Sequence, residues 1–521
     1  MKSRILAATV PALLFLSSSG LALALEGEPY IHDPSTVVEC DGKYYTWGTG
    51  GNPLVSDDGW IWHTGARVQA GAAPDLIHIG DRYYMAYASS GGGLGGGHAS
   101  SIHVKWSKTL DPNSPDYGWK DDQVVASSDG VELCDAIDPG FLLDPTSGRL
   151  WVTYGTYWGY IRIVELDPKT GHHVEGNQPV NVAIDCEATD PVYHDGWYYL
   201  FGTHGTCCDG ANSTYNLRVG RSKSVTGPYL DNRGNDMLKG GGKLVAAASG
   251  RFVGLGHFGL MDLGDGVQKF SCHYEADLDR GGRSVLDIRP LLWKDGWPVG
   301  GDNFKEGTYE IQSESSGYAL ELAVDFTRMA GRGGGFGGFG GGRGRGGAPG
   351  GTNAPSGTNA PGGPGAGGGF GGGFGGRGAG GSVTPVPAQT LAEVSSNWPD
   401  GNIDIRIGDY MMRPHQKWMI SAVTNSSGFP GSPCFKITIA GTDRALAATA
   451  TAEVVAVPAF TGAPEQLWRI DQFTDGTYRI MPKSVPNSTE PLVLTAVGYS
   501  TPTLAKFDPK NDKARWNFRT P

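Results

Sequence analysis

The sequence predicts an all-β protein: a five-bladed β-propeller followed by a second β domain, which a glycine-rich stretch interrupts. Three observations carry this. An aromatic strand recurs five times, usually just after a glycine-containing turn: Lys43–Trp47, Arg82–Tyr87, Leu150–Tyr154, Trp197–Phe201 and, in a weaker copy, Lys269–Tyr274. The copies are spaced as four-stranded blades with variable loops would be. Helical periodicity is nearly absent. A polar residue in a short run precedes each aromatic strand: Asp33, Asp75, Asp138, Glu187 and His257. The first strand of every propeller blade lines the central axis, so positions in phase with the repeat converge there. A β-sandwich is the competing architecture, and for any one Asp beside Pro a simple turn is the competing reading.

Composition narrows the function classes. Of 521 residues, 18 % are charged and 10 % aromatic, with 14 Trp and 21 Tyr. Flat rings on a weakly charged background suit packing against the C–H faces of sugars as well as a β core. The net charge of −11 argues against nucleic acid as a partner. Lys2 and Arg4, an apolar run from Ile5 to Leu16, and Ala22-Leu23-Ala24 follow the order of a secretory leader over 1–24. An uncleaved anchor is the alternative. No later segment is apolar enough to span a bilayer. The expectation is a secreted, extracellular or periplasmic monomer, free of the membrane once the leader is cut. Export permits disulfides. Seven cysteines leave at least one without an intramolecular partner, and Cys207-Cys208 reads either as a vicinal disulfide or as two thiols.

The domain plan is a propeller over 26–304, a second β domain over 305–521, and within it a Gly-rich insert over 330–382 that cannot bury a core and is expected to be flexible. Its Arg343-Gly344-Arg345 run resembles RNA-binding segments, but a tether or cell-surface contact suits an exported acidic protein better.

Carboxylates gathered on an axis suit glycosidic cleavage. One carboxylic acid protonates the leaving oxygen, and one carboxylate activates water or attacks directly. Clustering serves both, because like charges push one pKa up while another group stays ionised.

The ordered motifs between Tyr30 and Phe304 resemble glycoside hydrolase family 43, and within it the arabinanase-like branch. They are His32-Asp33-Pro34, Ala136-Ile137-Asp138-Pro139, Tyr154-Gly155-x-x-Trp158-Gly159-x-Ile161, Glu187-Ala188, Cys207 to Tyr215, Val219 to Tyr229, Arg289-Pro290-Leu291 and Asp295-Gly296-Trp297-Pro298. The resemblance implies Asp33 as general base, Glu187 as general acid, and Asp138 as the group that raises the pKa of Glu187 and orients it, with inversion. It implies substrate contacts at Asp75, Trp158 and Arg289, and at His257 a calcium or similar ion near the axis. A buried structural His and a core Trp are the competing readings of His257 and Trp158. The sequence departs from the family at Ala72-Ala73-Pro74, where Trp is usual, at Thr189, where Pro is usual, and in the Gly-rich run from Gly91 to Gly97.

In the C-terminal region three weak repeats end in Gln416-Lys417-Trp418, Gln466-Leu467-Trp468 and Ala514-Arg515-Trp516. They resemble the Gln-x-Trp signature of the ricin-type β-trefoil, as in family 13 carbohydrate-binding modules, with Ala514 a departure. The fold expected for the whole chain is therefore a five-bladed β-propeller followed by a β-trefoil with a Gly-rich disordered insert. The function expected is an inverting α-L-arabinofuranosyl hydrolase on plant cell-wall polysaccharide, first an arabinan endo-1,5-α-L-arabinosidase, with arabinoxylan and galactan as alternative substrates. An exo-acting arabinofuranosidase or β-xylosidase and a non-catalytic polysaccharide-binding protein are the rivals.

Overall fold

A computed structural model of the chain describes residues 24–89, 98–156, 158–324, 390–498 and 501–521. The leader expected over 1–24, except Ala24, and the insert expected over 330–382 lie outside them. The chain forms two compact units, 1–324 with 399–521, and 325–398. In the second unit the described residues hold one helical turn, Leu391–Ser395, whose N-terminus Thr390 and Glu393 close with a capping box. Among the described residues no helix is long and apolar enough to cross a membrane.

Residues up to Gly300 form five sheets in chain order, each a four-strand antiparallel meander, to which Glu26–Gly27 adds a fifth, parallel strand in the first. Blade 1 spans Glu26–Thr64, blade 2 Ala72–Asp129, blade 3 Gly140–Ile184, blade 4 Glu187–Ala246 and blade 5 Val253–Gly300. The five aromatic runs seen in the sequence are the second strand of the four-strand meander in every blade. Their side chains are buried on both faces: all five residues of Leu150–Tyr154 are buried. A strand sandwiched between two neighbouring sheets loses the period-2 alternation of a surface strand, which is why these runs read as nearly continuous apolar stretches. Each pair of neighbouring blades shares one apolar core, five in all. Asp41-Gly42, Asp195-Gly196 and Asp295-Gly296 supply hairpin turns with positive φ at both residues, the conformation that matches strand twist in a two-residue loop.

The ring closes between its ends. Tyr30 bridges Val285, the Ile31 N–H donates to the Ser284 carbonyl (3.2 Å), and the Leu286 N–H donates to the Pro29 carbonyl (2.7 Å). Closure matters for the site, because it brings Asp33, the first carboxylate of the axial series, against the last blade.

A single backbone feature recurs once per blade at the axis. Asp33 (φ 51°), Ala73 (44°), Asp138 (52°), Ala188 (47°) and His257 (63°) all lie in the left-handed region. Non-glycine residues rarely occupy it, at roughly 1–2 kcal/mol each. Five repeats of one strained kink re-aim the chain where each blade meets the axis, and strain of this kind gathers at functional sites.

The described residues of 307–324 and 399–519 build a second β body. Six strands close on themselves: Gly307–Ser313, Trp418–Val423, Cys434–Ile439, Trp468–Gln472, Tyr478–Pro482 and Trp516–Arg519 pair in that order, and the last pairs back to the first. Three further pairs are hairpins: Ala319–Leu322 with Ile403–Gly408, Ala445–Ala448 with Val454–Val457, and Val493–Thr495 with Thr503–Ala505. Trp418, Trp468 and Trp516 are fully buried. Their indole N–H groups donate to the carbonyls of Leu320, Leu446 and Leu494 at 2.8, 2.9 and 2.9 Å. One contact repeated three times makes this body internally threefold. It meets the propeller through Gly428 N–H to Asp58 (2.8 Å), Trp293 N–H to the Thr474 carbonyl (2.8 Å), the Arg479–Asp265 ion pair (3.1 Å), and buried Lys269, which donates to the Pro430 carbonyl.

Candidate active site

The kinks bring Asp33, Asp138 and His257 to the axis directly, and Glu187 from the residue before the fourth kink. Asp33 sits at the closure of the ring. Its Oδ2 accepts a 2.6 Å hydrogen bond from Thr49 Oγ1, which in turn accepts from the Ala73 N–H (2.9 Å). Its own N–H donates to His273 Nδ1 (3.2 Å). Oδ1 lies 3.4 Å from both His257 Nδ1 and His32 Nε2, and 3.9 Å from His273 Nδ1. Burial opposes ionisation of Asp33, but the His257 hydrogen bond and the imidazoles of His32, His257 and His273 outweigh it. The carboxyl is held well below the usual range. His273 itself is driven down to about 3 by burial and its neighbouring histidines, so it is neutral at neutral pH.

Glu187 has the opposite environment. It is 7 % exposed, and its Oε1 accepts a hydrogen bond from the Tyr215 hydroxyl. Burial, with the negative charge of Asp33 added, pushes its carboxyl up to about 8, while the Tyr215 hydrogen bond works against the rise. Asp138, also buried, accepts from the Ala188 N–H at Oδ2 (3.2 Å). It therefore grips the backbone beside Glu187. Burial and the charges of Glu187 and Asp33 push Asp138 up as well. Two carboxyls in one dry pocket are thus protonated more readily than free ones, and a third is ionised: an acid and a base held apart in pKa.

The other expected site residues divide. Trp158 is 46 % exposed on the loop after Tyr154, its ring 6.5 Å from that of His98. His98 lies 3.6 Å from buried Asp135, whose charge also raises Asp138 and Glu187. An exposed aromatic therefore stands one network away from the cluster.

Asp75 does not join it. It lies two residues past the kink at Ala73, and both its oxygens are occupied: Oδ1 accepts from the Thr36 N–H and Oδ2 from the Phe141 N–H, each 2.9 Å. The substrate contact expected there is instead a buried strut from blade 2 to blades 1 and 3. Asp75→Ala is expected to strand two buried donors and cost about 2–4 kcal/mol of stability. Thermal unfolding of the purified variant checks this, with KM expected to stay near the wild-type value.

Arg289 is likewise elsewhere. It is buried on the third strand of blade 5, donating to the Gly301 carbonyl (3.0 Å) and to Asp302 (2.6 Å), away from the Asp33, Asp138 and Glu187 cluster.

Thr49, His273 and Tyr215 are the groups whose role the sequence did not reveal. His273 is the one polar surprise within an aromatic run, and Tyr215 lies in a stretch quoted only as a motif. Thr49 carries no signal, because its role depends on strand register. Tyr215→Phe removes the hydrogen bond that lowers Glu187, so the alkaline limb of kcat/KM is expected to move above its wild-type position. A pH–rate profile reads this directly.

Cys207 and Cys208 form a vicinal disulfide, and the other five cysteines are free and buried. The Cys208 sulfur lies 3.6 Å from His32 Nε2.

Known proteins place this arrangement. The family model described as glycosyl hydrolases family 43 matches residues 39–298. An extracellular exo-α-(1→5)-L-arabinofuranosidase of Cellvibrio japonicus is 35 % identical over 275 residues, 49 % of this chain and 74 % of that protein. The chain belongs to glycosyl hydrolases family 43. A second family relative, an extracellular endo-α-(1→5)-L-arabinanase of Bacillus subtilis, is 30 % identical over 56 % of this chain and 95 % of its own length. The crystal structure of an exo-1,5-α-L-arabinanase from a bovine ruminal metagenomic library matches at 34 % identity and a TM-score of 0.49, over 53 % of this chain and 99 % of that one. As a member of family 43 the protein is a glycoside hydrolase, and its matched residues are those of the propeller.

Proposed function

We propose that this glycoside hydrolase is secreted and cleaves α-1,5-linked arabinan with inversion, Asp33 acting as general base, Glu187 as general acid and Asp138 as the residue that positions Glu187. The observation that carries the reading is the gathering of three carboxyls in unlike settings: Asp33 against Thr49 and three histidines, Glu187 buried under the Tyr215 hydroxyl, and Asp138 on the Ala188 N–H beside it. This arrangement favours the charged form of Asp33 and the neutral form of Glu187. Water attacks the anomeric carbon as Asp33 takes one of its protons, the glycosidic bond breaks, and its electron pair leaves on the oxygen that takes the Glu187 proton. Trp158 offers a face to the sugar chain. The names of the two relatives, both extracellular and both acting on α-(1→5)-L-arabinose linkages, support the substrate and the export. The product pattern from linear α-1,5-arabinan tests this. A ladder of short oligosaccharides means endo action. Arabinose alone means exo action, which the likeness to the arabinofuranosidase favours. No product from arabinan would end the reading.

Two further parts belong to this proposal. The threefold body is read as a ricin-type β-trefoil that holds the enzyme on cell-wall polysaccharide, supported by its six-strand closure and the three equivalent Trp contacts. An ion near the axis would take His257 as its protein ligand. No cage of oxygens surrounds that ring among the described residues, so most of the 6–8 oxygens that calcium takes would be water. Its contribution would be electrostatic, holding Asp33 ionised. Adding calcium to chelator-treated enzyme is expected to raise Tm, and a Tm indifferent to calcium would remove the ion from the picture.

A further inference from the structure

Away from the axis, a cavity of about 380 Å3 opens between the third strand of blade 5 and the segment that enters the blade, Ser249 to Phe252. Its floor holds two buried polar side chains. Asp287 is 3 % exposed; its Oδ1 accepts from the Ile288 N–H (2.9 Å), and Oδ2 has no hydrogen-bond partner among the described residues. Arg289 stands two residues along the same strand, with Asp302 and the Gly301 carbonyl on one side of its guanidinium. Phe252 and Tyr274, with ring centroids 4.7 Å apart, form an apolar wall. Arg251, Asp277 and Lys305 stand at the rim.

Ligand sites of about 300–1,000 Å3 combine apolar walls with a few convergent polar groups, and this cavity has that composition. The chemistry selects the ligand class. Three acidic side chains (Asp277, Asp287, Asp302) and three basic ones (Arg251, Arg289, Lys305) line the cavity, so neither an anion nor a cation finds a field of one sign. A carboxylate oxygen without a partner accepts hydroxyl hydrogens, a guanidinium donates to hydroxyl or ring oxygens, and an aromatic wall packs on C–H faces. A neutral polyhydroxylated ring meets all three. At roughly 30 Å3 per water, the space equals about a dozen waters, enough for a short sugar chain end.

We propose that this cavity beside blade 5 is a second carbohydrate site of the propeller, separate from the axial cluster, in which Asp287 and Arg289 bind the hydroxyls of a neutral sugar unit packed on Phe252. That the sugar is arabinose rests on the substrate reading above; the polyol chemistry does not. A site here would hold a distant part of the polysaccharide without touching the scissile bond.

The test uses the full chain carrying Glu187→Gln, so that the probe survives, with 4-fluorophenylalanine placed at position 252. Titration with α-1,5-arabinotriose is followed by the fluorine resonance of that one residue. A saturable shift is expected, and Asp287→Asn should abolish it. In the otherwise wild-type chain, Asp287→Asn should leave turnover of arabinotriose unchanged. Ala276→Trp, which fills the cavity from its rim, does the same work if Asp287→Asn does not fold. No shift on titration, or a shift that persists in both variants, overturns the proposal. Failure of the wild type to cleave linear arabinan would sink the axial reading alone, and the resonance at 252 would still decide this one.

Discussion

Glu187→Gln should lower kcat on linear arabinan by about 10²–10⁴, the usual contribution of a positioned acid. A loss in the middle of that range is about 4 kcal/mol of transition-state stabilisation. The amide keeps the volume of the side chain and can still hydrogen-bond to the Tyr215 hydroxyl, so the fold should persist and KM should change little. The loss should depend on the leaving group. An alkoxide from a sugar needs the proton that Glu187 supplies, whereas a dinitrophenolate leaves without one, so a dinitrophenyl arabinofuranoside should be cleaved with a much smaller deficit. The pH profile gives the second signature. As the proposed acid Glu187 would work protonated, and burial with the charge of Asp33 pushes it up to about 8. Wild-type kcat/KM should therefore hold below that pH and fall as pH rises through it, and the variant should lose this limb. A variant equally slow on both substrates, or one that keeps the alkaline limb, would remove Glu187 from the acid's role.

How far the site was legible follows from what a repeat can carry. The aromatic runs were readable because a strand clamped between two sheets must be apolar on both faces, and five such runs at blade spacing leave few architectures. The axial polar positions were readable as a series for the same reason. Within the series, phase was legible only to within a residue or two. Asp33, Asp138 and His257 stand on the kinks, Glu187 one residue before its kink, and Asp75 two residues beyond. A displacement of two residues keeps the side chain on the same face of a strand but moves it along the axis, here to the backbone of Thr36 and Phe141. No composition or spacing distinguishes these cases, since Ala73 at the kink and Asp75 beyond it look like an ordinary turn. The position of Arg289 was not legible, because a motif says which residues recur and not which atoms they meet. Thr49 and His273 were invisible as partners of Asp33 because Thr49 reaches it through the register within blade 1, its N–H donating to the His32 carbonyl (3.0 Å), and His273 through ring closure. The threefold Trp spacing, in contrast, was plain, because each Trp contacts a strand at a fixed point of its own repeat.

Asp33 should show the complementary behaviour, and its backbone dictates which substitutions can show it. With φ at 51°, Asn and Gly are tolerated and alanine adds strain of its own. Asp33→Asn keeps the shape, can still accept a hydrogen bond from Thr49, and removes the base. Its kcat should fall by about 10²–10⁴ on arabinan and on the dinitrophenyl glycoside alike, because activation of water is needed whatever leaves. This separates it from Glu187→Gln. The two sites are also coupled: the negative charge of Asp33 is one of the causes that raise Glu187. The alkaline limb of the residual activity should therefore move to lower pH in Asp33→Asn. Asp33→Gly opens room for a small anion, and added azide should restore turnover as the glycosyl azide. Whether Asp33 acts on water or attacks carbon itself is decided on the wild type, from the anomer that appears first in the proton spectrum. The β anomer from an α linkage means inversion and a base. The α anomer would make the first step a covalent attack by a carboxylate, and the base assigned to Asp33 would have to be given up.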